Sequence, residues 1–449
     1  MAMMPHPDKI LAKYLGHYAE PEARISAQIP GMFDVALVIP AYDEGDDLFA
    51  TLRSIPSGLR TLAVVVLNAT SEAPPTAHAT NAATRQRLID GFRIAPLTDR
   101  SYLGNARWGA LLLIDRARQD SLLPPHQGVG LARKIGADVV LALWAAGRLH
   151  RPWIHTTDAD VALPTDYFER LAGSFSRAAA AALYPFCHVE AEGAPTAAAA
   201  TYECWLRYYV LGLGFAGSPY AFHTIGSTLA VHAWAYAATR GFPARQAGED
   251  FYMLNKLAKV GAVLRLRGQP LRLSCRLSTR VPFGTGQALR RIEGAQMAQP
   301  RFYHPQTFVA LRAWLQTVQR LAHDPTLHIP IALAHGKAQQ LAHRVLSVLG
   351  APAALEKARR QSRTAEGCAR RLHIWFDARK TLRFMHVARD LGTLGCDLWG
   401  ALDAAPFVPS HAIRRHRSGT VADFGAVLCT LKQVELATGP TETGLGVCF

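Results

Sequence analysis

Continuous apolar runs alternate with segments of helical spacing along the first third of the chain. The runs at 35–39 and 62–67 contain only apolar residues, which is typical of strands that are buried on both faces. Between them, apolar residues fall at 48, 49, 52 and 55, a spacing that predicts a helix. A helical pattern at 128–147 precedes a third apolar strand that ends at Asp158. This alternation indicates parallel βαβ units, so we predict an α/β fold with a mostly parallel sheet between helices.

The rest of the pattern is less regular and divides the chain. Residues 71–100 are polar without a clear period, which predicts an irregular excursion, and 104–118 is predicted to be helical. After about residue 300 the strand signals fade, and helical patterns follow at 306–322, 331–348, 352–371 and 379–398. We therefore predict an N-terminal segment (1–32), an α/β domain (33–300) and an α-helical C-terminal domain (301–449).

Composition places the chain among globular proteins with large cores. It has 449 residues, 49% of them hydrophobic and 18% charged, which suits two or three domains. Seven scattered cysteines without a C-x-x-C pair favour reduced thiols in a cytosol over a disulfide framework or a zinc site. The first 29 residues lack the apolar core of a signal peptide. Glycine, proline and histidine interrupt the uncharged stretch between Arg207 and Arg240, so we interpret it as core and pocket wall.

Positive charge is concentrated in the last third of the chain. Of the net charge of +15, +9 lies in residues 301–449, which carry 19 Lys/Arg and 10 Asp/Glu. Such a surface attracts polyanions, for example a nucleotide diphosphate or an anionic bilayer, although a solvated helical face is an equal alternative. Nucleic acid is the least favoured partner, because no nucleic-acid-binding motif accompanies the charge. The prediction is a cytoplasmic protein, with peripheral docking to an anionic membrane left open.

The most informative polar positions are two carboxylates at the end of the third strand. Asp158 and Asp160 are two residues apart, and in an extended chain such residues point to the same side. Open α/β sheets bind their ligands at the carboxyl ends of strands. Paired carboxylates suit a hard divalent cation, Mg²⁺ or Mn²⁺, that keeps other positions for water and phosphate oxygens. A polar turn without a ligand is the alternative interpretation.

Further motifs precede and follow this pair. They are Pro40-Ala41-Tyr42-Asp43-Glu44, Asn68, the Gly128–Gly136 segment G-V-G-L-A-R-K-I-G, His223-Thr224-Ile225-Gly226-Ser227, Gly241-Phe242 and Gly248-Glu249-Asp250-Phe251. In order and spacing, residues 33–260 resemble the glycosyltransferases of family 2, which have the GT-A fold. The resemblance implies a GT-A type, Rossmann-like sheet and transfer of a sugar, most often a hexose, from a nucleotide-sugar donor.

The resemblance also implies roles for individual residues at a donor site. Asp160 would be the direct metal ligand, with Asp158 on the ribose or on a metal-bound water. Arg133 supplies a fork of donors for phosphate or base, unless it is a solvated helix arginine. Asp43 and Glu44 would face the nucleoside, with helix capping as the alternative. The predicted donor-binding set is Pro40, Ala41, Tyr42, Asp43, Glu44, Asn68, Arg133, Asp158, Gly226, Ser227 and Arg280.

Two further features raise separate questions. Arg280 lies in the segment 278–286, whose glycines and hydroxyl residues suit either a phosphate cradle or an ordinary tight loop. In the family, the second acid of the Glu249-Asp250 pair resembles a general base, so Asp250 is the candidate base and Glu249 an acceptor-binding or supporting group. A helix N-terminus lowers the pKa of a carboxylate, whereas a base at neutral pH needs a raised pKa. A capping pair without a catalytic role is the alternative.

These patterns predict a metal-dependent glycosyltransferase with an unidentified acceptor. The inverting outcome follows from the family alone. A haloacid-dehalogenase-like phosphatase would leave the Pro40–Glu44 motif unexplained, and a nucleotidyltransferase would usually carry Lys or Arg directly after the first strand, where residues 40–47 have neither. A nucleotide-sugar-binding protein without activity is the non-enzyme alternative. The sequence leaves open the sugar, the nucleotide, the acceptor, the stereochemistry and the oligomeric state.

Overall fold

The chain divides into two compact units in the computed structural model. The first contains residues 1–192 and 224–287, and the second contains residues 193–223 and 288–449. The structure describes residues 7–173, 179–189, 196–277, 284–293, 301–324, 326, 327, 329, 333, 335–409, 421–438 and 442–444. The segment 193–223 therefore groups with the C-terminal helices although it lies within the N-terminal part of the chain.

The first unit is built from short strands and helices in alternation. Its strands are β1 (Val35–Ala41), β2 (Thr61–Asn68), β3 (Ala95–Thr98), β4 (Ser101–Ala106), β5 (Gly109–Arg116), β6 (Trp153–Thr156), β7 (Val161–Ala162), β8 (Ala179–Leu183), β9 (Phe186–Val189), β10 (Leu229–His232), β11 (Ala262–Arg265) and β12 (Leu271–Ser274). Its helices are α1 (Pro7–His17), α2 (Asp46–Ser54), α3 (Pro75–Phe92), α4 (Gly128–Ala145), α6 (Ala233–Ala238) and α7 (Glu249–Leu257). Short 3₁₀ turns lie at Pro21–Gln28, Glu169–Leu171 and Gly226–Thr228.

The central sheet of the first unit is mixed but mostly parallel. Its strands follow the order β11-β8-β10-β6-β1-β2-β5-β4-β3. The core β6-β1-β2-β5 is parallel, and β10 and β4 run against both of their neighbours. Every residue of β1 and β2 is buried, as their continuous apolar runs predict. The α/β prediction with a mostly parallel sheet is confirmed at this level.

A topological switch lies between β1 and β6. The chain passes from β1 to β2 and β5 on one side, then returns through α4 to β6 on the other side of β1. Such a reversal opens a crevice at the carboxyl ends of the two strands. Helix α4 packs closely over this part of the sheet, since a Cβ at Gly136 would lie 2.5 Å from Val38 Cγ1. The crevice is thus bordered by the residues that follow β1 and β6.

Two predictions of local structure are wrong. Residues 75–92 form the helix α3 within the stretch predicted to be irregular, and residues 101–106 and 109–116 form a β-hairpin that overlaps the stretch 104–118 predicted to be helical. The buried positions of α3 are Ala77, Asn81, Thr84 and Leu88, a helical spacing whose apolar signal is hidden by two polar residues. The run 110–115 is buried throughout, and periodicity cannot distinguish such a strand from a buried helix.

The N-terminal helix α1 is held to α4 by a buried carboxylate. Asp138 Oδ1 accepts hydrogen bonds from the hydroxyls of Tyr14 and Tyr236, both at 2.7 Å. Asp138 Oδ2 accepts from the backbone N–H of Glu20 at 2.8 Å and from Lys134 Nζ at 2.6 Å. These four hydrogen bonds reduce the free-energy cost of burying the Asp138 carboxylate. The described residues before β1, from residue 7 on, are therefore packed within the first unit.

The second unit is helical in its described residues, apart from the two-residue strand β13 (Glu442–Thr443). Its helices are α5 (Ala197–Phe215), α9 (Pro305–His323), α10 (Lys337–Leu349), α11 (Ala351–Arg360), α12 (Ala365–Trp375), α13 (Ala378–Asp390), α14 (Leu398–Ala404) and α15 (Val421–Thr438), and α8 (Thr285–Glu293) lies at the boundary of the two units. Its core joins Tyr208 of α5 to Phe308 and Trp314 of α9. None of the described helices is both long and apolar enough to cross a bilayer.

Candidate active site

The turn after β1 is held by side chains of α3. Asp43 adopts the left-handed conformation with φ of 54°, which is uncommon for a residue other than glycine. Its backbone N–H donates to Asn81 Oδ1 at 3.0 Å, and the carbonyl oxygen of Glu44 accepts from Thr84 Oγ1 at 2.6 Å. Asn68, at the end of β2, donates from Nδ2 to the carbonyl oxygen of Ala41 at 2.9 Å. Asn68 is buried, so in this structure its side chain supports the turn.

The Asp158–Asp160 segment is a turn between β6 and β7 rather than the end of an extended strand. Thr51 of α2 stabilises this turn, because its hydroxyl donates to the Ala159 carbonyl at 2.9 Å and accepts from the Val161 N–H at 3.0 Å. The two carboxylates engage different arginines. Asp158 Oδ1 accepts from Arg133 at 2.7 Å, and Asp160 Oδ2 lies 3.7 Å from Arg276.

Arg133 is the buried centre of the site. Its guanidinium donates to Asp158 Oδ1, to Glu249 Oε1 at 3.1 Å and to the Gly226 carbonyl at 3.3 Å. Its side chain is 2% exposed, and a Cβ at Gly226 would lie 2.8 Å from its Nη2. Arg133 therefore ties together β6, α7 and the turn before β10. The alternative of a solvated helix arginine is wrong.

Asp250 combines a capping contact with a raised pKa. Its Oδ1 accepts from the backbone N–H of Phe251 at 2.6 Å, in the first turn of α7. Burial and the neighbouring charge of Glu249 raise the pKa of Asp250 to about 7, against the opposing effects of that hydrogen bond and of Arg133. Burial thus outweighs the lowering expected from the helix terminus. A carboxylate with this pKa can accept a proton at neutral pH.

A second arginine-carboxylate group lies beside Asp160. Arg276 follows β12, which runs antiparallel to β7 and so passes the Asp158–Asp160 turn. Its guanidinium donates to Glu44 Oε2 at 2.7 Å and to Asp47 Oδ2 at 3.1 Å, in addition to the contact with Asp160. We call Glu44, Asp47, Asp160 and Arg276 the acid cluster. It joins the turn after β1 to the turn after β6, across the switch point.

The donor set at these turns fits a divalent cation that is shared with a bound phosphate. The Asp160 and Asp158 side chains are 25% and 42% exposed, respectively. The described residues contain no group of three or more His, Cys, Asp or Glu that could hold a metal ion. Mg²⁺ and similar cations are commonly held by one or two carboxylates together with substrate phosphates, rather than by a protein cage. Asp160 and Asp158 can supply the carboxylates of such a site.

The other predicted donor residues differ in accessibility. Pro40 and Ala41 are buried in β1, and Tyr42 is half-buried. Ser227 is fully buried, and its hydroxyl has no hydrogen-bond partner among the described residues. Arg280 lies outside the described residues. The donor-binding roles of all these residues stay predictions.

Sequence reasoning missed Thr51, Asn81, Thr84, Asp47 and Arg276. Thr51, Asn81 and Thr84 are buried polar residues, and for Asn81 and Thr84 the spacing 77, 81, 84, 88 in α3 is a signal in the sequence. No local signal identifies Arg276, because its partners Asp47 and Glu44 are 229 and 232 residues away in the chain.

Comparison with known proteins gives a resemblance to an enzyme structure. No protein-family model matches the chain, and no curated protein matches it. A solved structure that the chain matches is the mannosyltransferase PcManGT from Pyrobaculum calidifontis, in complex with GDP-Man and Mn²⁺. The similarity covers 96% of this chain and 99% of that chain, at 14% sequence identity and a TM-score of 0.32.

Proposed function

We propose that this protein is a metal-dependent glycosyltransferase of the GT-A type, similar to family 2, that uses a nucleotide-sugar donor and inverts the anomeric carbon. One observation carries the proposal. The buried guanidinium of Arg133 joins Asp158, Gly226 and Glu249 at the switch point, next to Asp250, whose pKa is raised to about 7. A donor-side carboxylate and Glu249, the chain neighbour of the candidate base, are thus both bound by one arginine.

The donor side of the site is formed by the turns after β1 and β6. Asp43 and Glu44 lie where a nucleoside would enter the crevice, and their turn is fixed by Asn81 and Thr84. Asp160, with Asp158, would hold a divalent cation that neutralises the charge growing on a leaving diphosphate. The bracing of both turns means that the side chains are positioned before a donor binds.

The acceptor side of the site is formed by the first turn of α7. Asp250 would take the proton of the acceptor hydroxyl as that oxygen attacks the anomeric carbon. Glu249 is committed to Arg133 and is buried, which makes it a support for Asp250 rather than an acceptor ligand. Its negative charge also raises the pKa of Asp250. Base and support are therefore adjacent residues with separate tasks.

A panel of nucleotide sugars tests the proposed function directly. Purified protein is screened with UDP-, GDP- and dTDP-linked hexoses, with Mn²⁺ or with EDTA, and thermal stability is measured. A donor at a hundred times its Kd stabilises by roughly 2.7 kcal/mol, so we expect a clear shift with one donor class that EDTA removes. Donor hits are then assayed for sugar transfer and for slow hydrolysis. No shift with any donor, or hydrolysis of a simple phosphate monoester at the Asp158 site, would contradict the proposal.

A further inference from the structure

Arg276 is a counter-ion shared by the three carboxylates of the acid cluster, Glu44, Asp47 and Asp160. A single nitrogen, Nη2, lies 2.7 Å from Glu44 Oε2 and 3.7 Å from Asp160 Oδ2, while Nη1 lies 3.1 Å from Asp47 Oδ2. Three carboxylates of the first unit therefore share one guanidinium. The contact with Asp160 is the longest of the three, so Asp160 is the carboxylate that Arg276 itself holds least tightly.

Arg276 differs from Arg133 in its ability to move. Arg133 is 2% exposed and contacts three elements, so it cannot move away without leaving the buried charge of Glu249 unpaired. Arg276 is 32% exposed, and Asp47 and Asp160 are 49% and 25% exposed. Water and ions therefore reach the pairs of Arg276 with Asp47 and Asp160, whereas its partner Glu44 is only 9% exposed. An exchange of partners at Arg276 is much less unfavourable than one at Arg133.

The position of Arg276 has a consequence for cation binding at Asp160. A carboxylate that is already paired with a guanidinium attracts a divalent cation less than an unpaired one, because the cation must replace the pair and also meets the positive charge of Arg276. A diphosphate reverses this effect, because its negative charge can pair with the divalent cation and with the Arg276 guanidinium at the same time. The cation and the diphosphate are therefore expected to bind together more tightly than either binds alone.

We propose that Arg276 is a positioning residue that shares Asp160 with the incoming divalent cation and thereby couples cation binding to the arrival of a diphosphate. The proposal rests on the metal-dependent function proposed above. Arg276 keeps Asp160 neutralised in the absence of donor, and it pairs with the diphosphate when cation and donor bind together. The site would then take up its cation mainly as a complex with the donor.

Binding of Mn²⁺ alone to the purified full-length protein tests this proposal without any sugar. Arg276→Gln removes the competing charge, so we expect Mn²⁺ to bind roughly fivefold tighter than to wild type, the effect of removing one partly exposed ion pair. The change is measured by the loss of the free Mn²⁺ resonance in an electron paramagnetic resonance titration. Arg276→Lys keeps the charge, so its affinity for Mn²⁺ should stay close to that of wild type.

Arg272→Gln is the matched control, because Arg272 is an exposed residue of β12, the strand that leads to Arg276, and its backbone pairs with β7 and β9. It removes the same net charge, so a gain in Mn²⁺ affinity as large as that of Arg276→Gln would overturn the proposal. Adding Asp160→Asn to Arg276→Gln should abolish the gain. A gain that survives Asp160→Asn places the cation elsewhere and also overturns the proposal.

Inorganic pyrophosphate supplies the second half of the test. Pyrophosphate also binds Mn²⁺ in buffer, and that binding is measured separately as the reference. In wild type we expect saturating pyrophosphate to increase the affinity for Mn²⁺ by more than this reference. In Arg276→Gln we expect the extra gain to fall roughly threefold or more, as loss of one charge-assisted contact predicts. An equal gain in both proteins would overturn the coupling. These measurements do not depend on catalysis. If they succeed while every donor in the sugar panel fails, the cation site stands and the glycosyltransferase proposal is wrong.

Discussion

Arg133 Nη2 lies 2.7 Å from Asp158 Oδ1, and the same guanidinium reaches Glu249 through Nε at 3.1 Å. The arginine is buried in α4, whereas the two carboxylates belong to the turn after β6 and to the start of α7. One side chain therefore joins the candidate donor site to Glu249, the chain neighbour of the candidate base Asp250. The Arg133 ion pairs therefore belong both to the candidate site and to the buried interior of the first unit.

Arg133→Gln should strongly destabilise the first unit. Removing one partner of a buried ion pair costs about 3–5 kcal/mol, because the remaining charge of Glu249 stays buried without compensation. Chemical denaturation measures this loss. Arg87→Gln is the control, since Arg87 pairs with Asp46 at the surface, where such pairs contribute about 0–1 kcal/mol. Equal losses in the two variants would mean that Arg133 is not the centre of the site.

Asp250→Asn should reduce kcat by roughly 10²–10⁴-fold while donor binding and fold are retained. In wild type, activity should rise with pH through about 7, because Asp250 must lose its proton to act as a base. The rise should be absent from the residual activity of the variant. A variant that keeps half of the wild-type kcat would assign Asp250 to helix capping alone.

The same substitution should have the opposite effect on stability. The pKa of Asp250 is about 7 in the folded protein and about 3.9 in an unfolded chain. Between these values the folded state binds more protons, so wild type loses stability as pH rises from about 4 to about 7. An asparagine side chain cannot titrate, so Asp250→Asn should gain on wild type over this range and keep a constant advantage above it. Thermal melts at pH values of about 4, 6 and 8, which run from near the unfolded pKa to above the folded one, measure the difference.

Asp160→Asn and Asp158→Asn should separate cation binding from donor positioning. Asp160→Asn is expected to abolish transfer and the Mn²⁺-dependent part of donor binding while the fold stays intact. Asp158→Asn should weaken donor affinity and also lower stability, because it removes a partner of buried Arg133. Full activity after EDTA treatment would contradict the metal role. Loss of kcat in Asp158→Asn at unchanged KM would contradict the division between the two residues.

Thr51→Val should loosen the Asp158–Asp160 turn. The substitution preserves shape but removes the hydroxyl that bonds to the Ala159 carbonyl and the Val161 N–H, which deprives two buried backbone groups of this partner. We expect a loss of about 1–3 kcal/mol in stability and a rise in the Kd for Mn²⁺ with pyrophosphate. Thr80→Val is the control, since its hydroxyl donates to the Thr76 carbonyl within α3 at an exposed position. Identical Mn²⁺ affinities in the two variants would show that the turn needs no brace.

The basic surface of the second unit should bind anionic vesicles in a salt-sensitive manner. Lys357, Arg360, Arg363, Arg370 and Arg371 are all exposed in α11, α12 and the turn between them, and each contributes about 1 kcal/mol near an anionic bilayer. Replacing these five by Gln should therefore abolish co-sedimentation with phosphatidylserine vesicles at low salt.

This test uses a matched substitution variant as its control. Truncation near residue 300 is unsuitable, because it would expose the face of α5 that packs against α9. Replacing Lys9, Lys13, Arg24, Arg93 and Arg272 by Gln removes five exposed charges from the first unit instead. If both quintuple variants lose vesicle binding equally, the attraction comes from net charge and not from the surface of the second unit.

The sequence alone determined the elements whose side chains repeat a simple period. Strands β1 and β2 are buried on both faces, so their apolar runs are unbroken, and α4 and α9 lie within one or two residues of their predicted positions. Carboxylates after β1 and β6 were visible because strand ends and turn residues are local features. Their shared location follows from the parallel βαβ order.

Tertiary structure decided which of these polar residues meet and how each is charged. Asp158 and Asp160 are neighbours in sequence yet engage Arg133 and Arg276, which come from distant parts of the chain. The pKa of Asp250 depends on burial and on Glu249, which no periodicity reports. Two buried positions of α3 are polar because Asn81 and Thr84 hold the turn after β1. The same polar residues interrupt the apolar pattern by which the helix could be predicted from the sequence. The local sequence pattern indicates which positions of a segment are buried. The contacts that those buried side chains make depend on the tertiary structure.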